Sequence, residues 1–308
     1  MKACLVVAIL VILVCSFPVE MTDELVCRNE ITGEPLDWFA LYKLPKKVHT
    51  FFKSKNPNPF ISQGTAYAFI TNQFTEWTLS ELSINDSMSL SGRTMQPLYS
   101  NHSSIGYLLY NDQADQVTVV KGHTKGVLLF NENSAVWIVH SIPHFPPKKI
   151  EKEYFIRHPQ CVFGQSMLCM SFKFEQLEQI GRQMLYTYPQ VYDYYIPDRL
   201  KNLNSGVLDN LLSVINKKHI TQPPWTRVEK LITRGGEVLL SLSKFTDFQD
   251  DLYSGLVAKT LESDLLTETW SNGPGTLRSN CTSKWNVLNI QHINFEAAGL
   301  SFSVHNDH

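Results

Sequence analysis

The sequence predicts an α/β fold laid out as two halves in the same order. Three observations carry this. Short apolar runs alternate with polar turns, which is the pattern of strands. One segment, residues 247–262, has Asp in its first turn and apolar residues at helical spacing. The order hairpin, helix, strand then occurs twice along the chain. The composition, 43% hydrophobic and 18% charged over 308 residues, is that of an ordinary globular chain. Such a length builds one large domain or two medium ones.

Each element has its own signal. Residues 3–17, ACLVVAILVILVCSF, follow Lys2 and are too short for a comfortable membrane span. With Val14 and Ser16 offering a cleavage site and proline following, residues 1–16 read as a signal peptide. No later segment has the character of a membrane span, so no stable membrane partner is expected. In residues 17–150, LDWFALYKL at 36–44 reads as a buried strand. Residues 65–79 read as a hairpin about Thr71-Asn72-Gln73, and 81–99 as partly helical up to Pro97. Strands are expected at 104–111, 123–130 and 135–142, the last two joined by a polar turn at 131–134. Pro143, Pro146 and Pro147 end this unit. Residues 151–308 repeat the order: a hairpin about Gly235-Gly236, the helix 247–262, and strands at 264–270 and 285–295. The chain reaches His308 at about the place where the first half has its strand 123–130.

That strand opens with GHTKG. On a strand, residues i and i+2 point the same way, so His123 and Lys125 are expected on one face. Neighbouring like charges disfavour double ionisation, which leaves a neutral, nucleophilic imidazole beside an ammonium able to hold a phosphate oxygen. Gly122 and Gly126 are expected to let a bulky substrate approach the backbone. This is half of a phosphoryl-transfer site. The other half, an acid for the leaving oxygen, would come from a second such pair across a pseudo-two-fold axis.

Other features bound the chemistry. Lys and Arg total 27 against 29 Asp and Glu, a net charge of −2, or −3 without Lys2. Protonating the ten histidines takes the sum to about +7 near pH 5, so polyanion binding should strengthen in acid. Asn85, Asn101 and Asn280 head N-glycosylation sequons. Cys27, Cys161, Cys169 and Cys281 remain after the leader, without metal-ligand spacing, and allow three pairings in an oxidising compartment. His140 and His144 resemble a metal pair, but Pro143 breaks the geometry and no carboxylate is near in sequence. Cys169, within SMLCMSF, reads as a buried cysteine rather than a nucleophile. There is no G-x-S-x-G, P-loop or dinucleotide fingerprint. No cofactor is expected.

Ordered blocks across the chain carry a resemblance: LDWFALYKLP at 36–45, GRTMQPLY at 92–99, YLLYNDQ at 107–113, GHTKGVLLF at 122–130 and WIVHSIPHFPP at 137–147. GQSMLC at 164–169, TYPQVYDY at 187–194, SKFTDFQDDLYSGL at 243–256 and SNCTSKWNVLNI at 279–290 continue it. The chain resembles the deoxyribonuclease II family, acid endonucleases of the phospholipase D superfamily. The resemblance implies a phospholipase D-like pseudo-dimer of two α/β halves, each giving one His-x-Lys, as a monomer with an internal pseudo-two-fold or a homodimer. It implies a lysosomal or secreted, metal-independent enzyme that cuts double-stranded DNA without sequence preference. The expected products carry 3′-phosphate and 5′-hydroxyl ends and form through a phosphohistidine. His123 and Lys125 fall on the first motif. The second, normally Asp-His-x-Lys-Trp, is met here by Asp307 and His308, so the second half is expected to be truncated at this motif. Asn131 stands where the wider superfamily has Asp. The resemblance pairs Cys27 with Cys161, makes Cys169 a buried thiol, leaves Cys281 without a partner and puts Ser141 near the phosphate. The competing expectation is an inactive, truncated secreted glycoprotein that binds DNA or a partner through the same groove.

Overall fold

A computed structural model describes residues 24–46, 49–50, 58–100, 104–114, 121–203, 206–268, 277–294 and 302–305. The proposed leader, Asn101 and His308 lie outside them. The architecture is mixed α/β around one eight-stranded antiparallel sheet. In spatial order the strands are Val191–Tyr195, Gly106–Asn111, Lys125–Phe130, Ser134–His140, Gln165–Lys173, Trp38–Lys43, Tyr67–Thr71 and Thr78–Leu79. The expected first-half strands all form. The sheet also takes Gln165–Lys173 into its centre and Val191–Tyr195 onto its edge, from beyond residue 150.

Both faces of this sheet are covered, which explains why its strands read as continuous apolar runs. Gly106–Asn111 and Lys125–Phe130 are buried at every position. On one face, Leu109, Val127, Leu129 and Ile138 pack with Leu90, Met95 and Leu98 of the helix Leu90–Tyr99. Ser89 caps that helix by accepting from the Gly92 N–H at 3.0 Å. On the other face, Leu108, Leu128, Phe130 and Trp137 pack with Leu177, Ile180 and Met184 of the helix Leu177–Thr187, and with Leu211 and Val214 of Asp209–Ile215.

The hairpin Thr226–Ile232/Val238–Lys244 forms as expected and docks its turn on the sheet. The Asp37 carboxylate accepts from the Gly235 N–H at 2.6 Å and from the Thr233 hydroxyl. The Arg234 N–H donates to the Ser171 carbonyl at 2.8 Å, and the Trp38 indole to Glu237 at 2.7 Å. Beyond it, Leu265–Thr267 pairs in parallel with Val287–Asn289. The segment 247–262 is less regular than its pattern predicts. It is broken into a 3-10 turn at Thr246–Phe248, a π-helical turn at Tyr253–Val257 and the α-turn Ala258–Leu261. Asp251 caps the Ser254 N–H at 2.7 Å, so its carboxylate starts the helix later than the acidic residues suggest.

The cysteine pairing differs from the expected one. Cys27 is bonded to Cys169, and Cys161 is a buried, unbridged thiol. The reason is strand register. The Cys27 N–H donates to Ser171 Oγ at 2.8 Å, and Cys169, two residues earlier on that strand, lies on the same face. This brings the two Cα atoms to 6.1 Å, within disulfide range. Cys161 belongs to the turn His158–Cys161, whose carbonyl instead accepts from the buried Lys43 ammonium at 3.3 Å. Cys281 is unbridged and exposed. Replacing Cys27 or Cys169 with Ser should therefore lower unfolding stability by roughly 2–5 kcal/mol, and Cys161→Ser by about 1 kcal/mol or less. Peptide mapping of the unreduced protein should yield a linked Cys27–Cys169 pair; a Cys27–Cys161 peptide would overturn the assignment.

Candidate active site

The strand Lys125–Phe130 begins two residues after His123, so His123 lies in the bend before it. The two side chains are therefore not brought together by strand alternation. Asp112 joins them. It follows the strand Gly106–Asn111, whose Asn111 is paired with Lys125. One carboxylate oxygen holds His123 Nδ1, and the other accepts from Lys125 Nζ at 2.6 Å. Asp112 is the member of this candidate site that the sequence does not single out. Its signal was present in YLLYNDQ, but the pairing that brings it to His123 is a matter of register.

The three groups differ in exposure. The His123 side chain is 57% exposed, whereas Lys125 is 4% exposed and Asp112 12%. His123 thus presents its ring outward from a charged, desolvated base. Because a carboxylate only accepts, Nδ1 is the nitrogen that carries the proton in this contact. Burial works to raise the Asp112 carboxyl, but hydrogen bonds from His123 and Lys125, together with their charges, hold it below the usual carboxylate range. Burial lowers the Lys125 ammonium, and Asp112 opposes that shift.

The two glycines serve the protein's own packing. A Cβ on Gly122 would lie 1.8 Å from the Thr187 carbonyl oxygen, and one on Gly126 would lie 2.3 Å from Tyr110 Oη and 2.5 Å from the Ile138 carbonyl oxygen. The space beside them, expected to admit substrate, is filled by neighbouring parts of the protein. The Gly122 N–H donates to the Tyr188 carbonyl at 3.0 Å, which ties the His123 bend to the end of the helix Leu177–Thr187. Asn131 is a turn residue: its side-chain oxygen accepts from the N–H groups of Asn133 and Ser134, each at 2.9 Å.

His123 and Thr124 border a cleft of about 1080 Å³, largely apolar, shared with His140, Ser141, Trp77 and Glu268. Ser141 is therefore near the site, where its hydroxyl donates to Gln165 and accepts from the Ser166 N–H at 2.9 Å. His140 sits beside Lys125 on the adjoining strand, continuing the Gly126–Val139 register. Its Nδ1 accepts from the Ile142 N–H at 3.2 Å, and its buried Nε2 has no hydrogen-bond partner among the described residues. Burial first, then the charge of Lys125, push this imidazole down to about 3. His144 is exposed, away from this arrangement. Among the described residues, no three His, Cys, Asp or Glu side chains converge as metal ligands. Of the sequons, Asn85 has its amide engaged both ways by the Ile156 backbone, at 2.7 and 3.2 Å, whereas Asn280 accepts from Thr282 within its own turn.

An imidazole oriented by a carboxylate, beside a lysine and at the rim of a cleft, is an arrangement suited to hydrolytic or group-transfer chemistry, and comparison with known proteins identifies the chain as a nuclease. The sequence model of the family described as Deoxyribonuclease II matches residues 26–308. Deoxyribonuclease-2-alpha of Mus musculus is 37% identical over 293 residues, covering 93% of this chain and 79% of the relative. Deoxyribonuclease-2-beta of Homo sapiens is 34% identical, covering 92% of this chain and 76% of the relative. Plancitoxin-1 of Acanthaster planci is 33% identical, covering 93% and 78%. The chain belongs to the deoxyribonuclease II family.

The depressed His140 has a measurable consequence. In the unfolded chain it takes a proton near pH 6.5; in the folded protein it stays neutral down to about pH 3. Between these values the unfolded state binds more protons, so this contribution is complete above about pH 6.5 and lost as pH falls toward 3. Denaturant unfolding at pH 7 and about pH 4.5 should show wild type losing about 2 kcal/mol more than His140→Asn, which keeps an acceptor near the Nδ1 position. Equal losses would remove His140 as the source.

Proposed function

We propose that this enzyme hydrolyses DNA without sequence preference through a phosphohistidine on His123. The observation that carries the reading is the exposed imidazole that Asp112 holds through Nδ1 beside the buried Lys125. In the first step Nε2 attacks phosphorus and the P–O5′ bond breaks. The 5′-oxygen leaves with a proton from an acid, for which His308 is the candidate. Water then cleaves the P–N bond, leaving a 3′-phosphate and regenerating the imidazole. Asp112 keeps the Nδ1 proton in place and stabilises the cation that forms as Nε2 becomes bonded. Lys125 supplies positive charge beneath the phosphate and, with Nζ donors beyond the one given to Asp112, can hold an oxygen as it develops charge. No step calls on a metal. The second His-x-Lys of a phospholipase D-like pseudo-dimer, and double-stranded DNA as the preferred substrate, belong to the same proposal. So does a lysosomal or secreted location, which the apolar leader and the disulfide support.

The test is plasmid nicking at about pH 5 with the chain extended by the family's full second motif. His123→Ala should reduce cleavage by at least a thousandfold. Asp112→Asn should lower kcat while leaving KM within about threefold, since it acts on the imidazole rather than on DNA. Near-wild-type nicking by His123→Ala would remove it from the mechanism.

Activity should survive EDTA; loss with EDTA and recovery with added magnesium would overturn the His-Lys chemistry. The rate maximum should lie well below pH 7, because the leaving-group acid must be protonated and the histidine-rich surface turns positive in acid. KM should rise steeply with salt. Fastest digestion near pH 8 with little salt dependence would contradict both arguments.

A further inference from the structure

Beside the His123 bend runs a row of aromatic rings that the proposed chemistry does not use. Tyr188 lies 4.4 Å from His219 between ring centroids. His219 stacks on Phe245 at 5.0 Å, with 9° between the planes, and Phe245 stacks on Trp225 at 5.9 Å. The row is held by the backbone: the Phe245 N–H donates to the Trp225 carbonyl at 2.8 Å, and His219 Nδ1 donates to the Ile220 carbonyl at 2.8 Å. All four rings are half-buried, so none is spent as a core side chain. At its inner end, Lys121 places Nζ 3.2 Å over the Tyr188 ring, and Gly122 hydrogen-bonds to the Tyr188 carbonyl. The row is thus fastened to the two residues that precede His123.

The surrounding charge fits one class of occupant. Lys217 and Lys218 are exposed beside His219, and Lys121 closes the inner end. Asp247, exposed after Phe245, is the acidic group nearest the row in sequence. Aromatic faces among lysines match a nucleic acid strand whose bases are unstacked, because each base has a π-face and each nucleotide a phosphate. A closed duplex offers only edges and backbone, since its base faces are already stacked.

We propose that the Tyr188–His219–Phe245–Trp225 row is a stacking subsite for an unpaired base of the strand whose phosphate is presented to His123. The proposal rests on the reading of His123 as the nuclease centre. It adds that the enzyme grips one strand by a base as well as by its phosphates. Frayed, gapped or single-stranded DNA would then be held more tightly than the phosphate count alone allows.

Binding can be measured without cleavage in the full chain carrying His123→Ala, by fluorescence anisotropy at low salt. The probes are a labelled oligothymidylate and an abasic oligonucleotide of the same length and charge. The oligothymidylate should bind about tenfold more tightly than the abasic strand. Trp225→Ala should remove most of that advantage and leave abasic binding within about twofold, while Trp225→Phe restores it. Equal affinity for the two probes would overturn the proposal even if Trp225→Ala fails to fold. So would an equal loss on both. Cleavage retained by His123→Ala would instead count against the nuclease centre, because the comparison of probes does not depend on turnover.

Discussion

One carboxylate, Asp112, is the point on which the site and its end of the sheet both depend. Lys125 is almost wholly buried, and a buried ammonium without a counter-charge is costly. Asp112 supplies that charge from the adjoining strand and with its other oxygen fixes the imidazole. The same contact therefore neutralises the strand's first residue and aims the proposed nucleophile. It also ties function to register. A slip of one residue between the strands 106–111 and 125–130 would turn Asp112 away from both cations and send Leu109 and Val127 to the opposite face.

The strands before residue 150 were legible because their local pattern and their final environment agree, whereas Gln165–Lys173 and Val191–Tyr195 of the same sheet were not anticipated. The hairpin about Gly235-Gly236 and the helix ending near Tyr99 follow directly from turn and cap chemistry. The helix Leu177–Thr187 is not legible in the sequence, although Leu177, Ile180 and Met184 have helical spacing, because only the 3-10 turn Phe174–Gln176 separates it from the strand Gln165–Lys173 and no side chain caps its start. The candidate site was half legible. GHTKG brings His123 and Lys125 together, but by a shared carboxylate and not by alternation on a strand, which does not hold where the strand has not yet begun. Asp112 and the Cys27–Cys169 bond depend on which residues face one another across strands. That is set by tertiary pairing, and spacing along the chain does not encode it.

Lys43 shows how far buried polar groups stabilise this framework. Its ammonium sits among the carbonyls of Leu44, Gly64, Cys161 and Phe163, the last at 2.6 Å. Burial lowers it to about 8. The side chain lies within the strand sequence WFALYK, where pattern alone suggests a solvent-facing residue. It instead holds two loops, 64 and 161–163, against the end of a central strand. With no side chain at Gly64, the Cys161 carbonyl lies where a Cβ would be, so the cation and the glycine together allow the loops to meet.

The middle strand of the large sheet has a consequence for synthesis. Gln165–Lys173 lies between Ser134–His140 and Trp38–Lys43, and Cys169 on it holds Cys27 across 142 residues. Until this strand has been made, the strands on its two sides lack the one that joins them, and Cys27 lacks its partner. Roughly the first half of the polypeptide must therefore wait, unclosed and reduced, in the compartment where it is made. Unpaired edges of this kind are where strand-to-strand association begins, so the incomplete chain is exposed to a misassembly that the finished sheet is not.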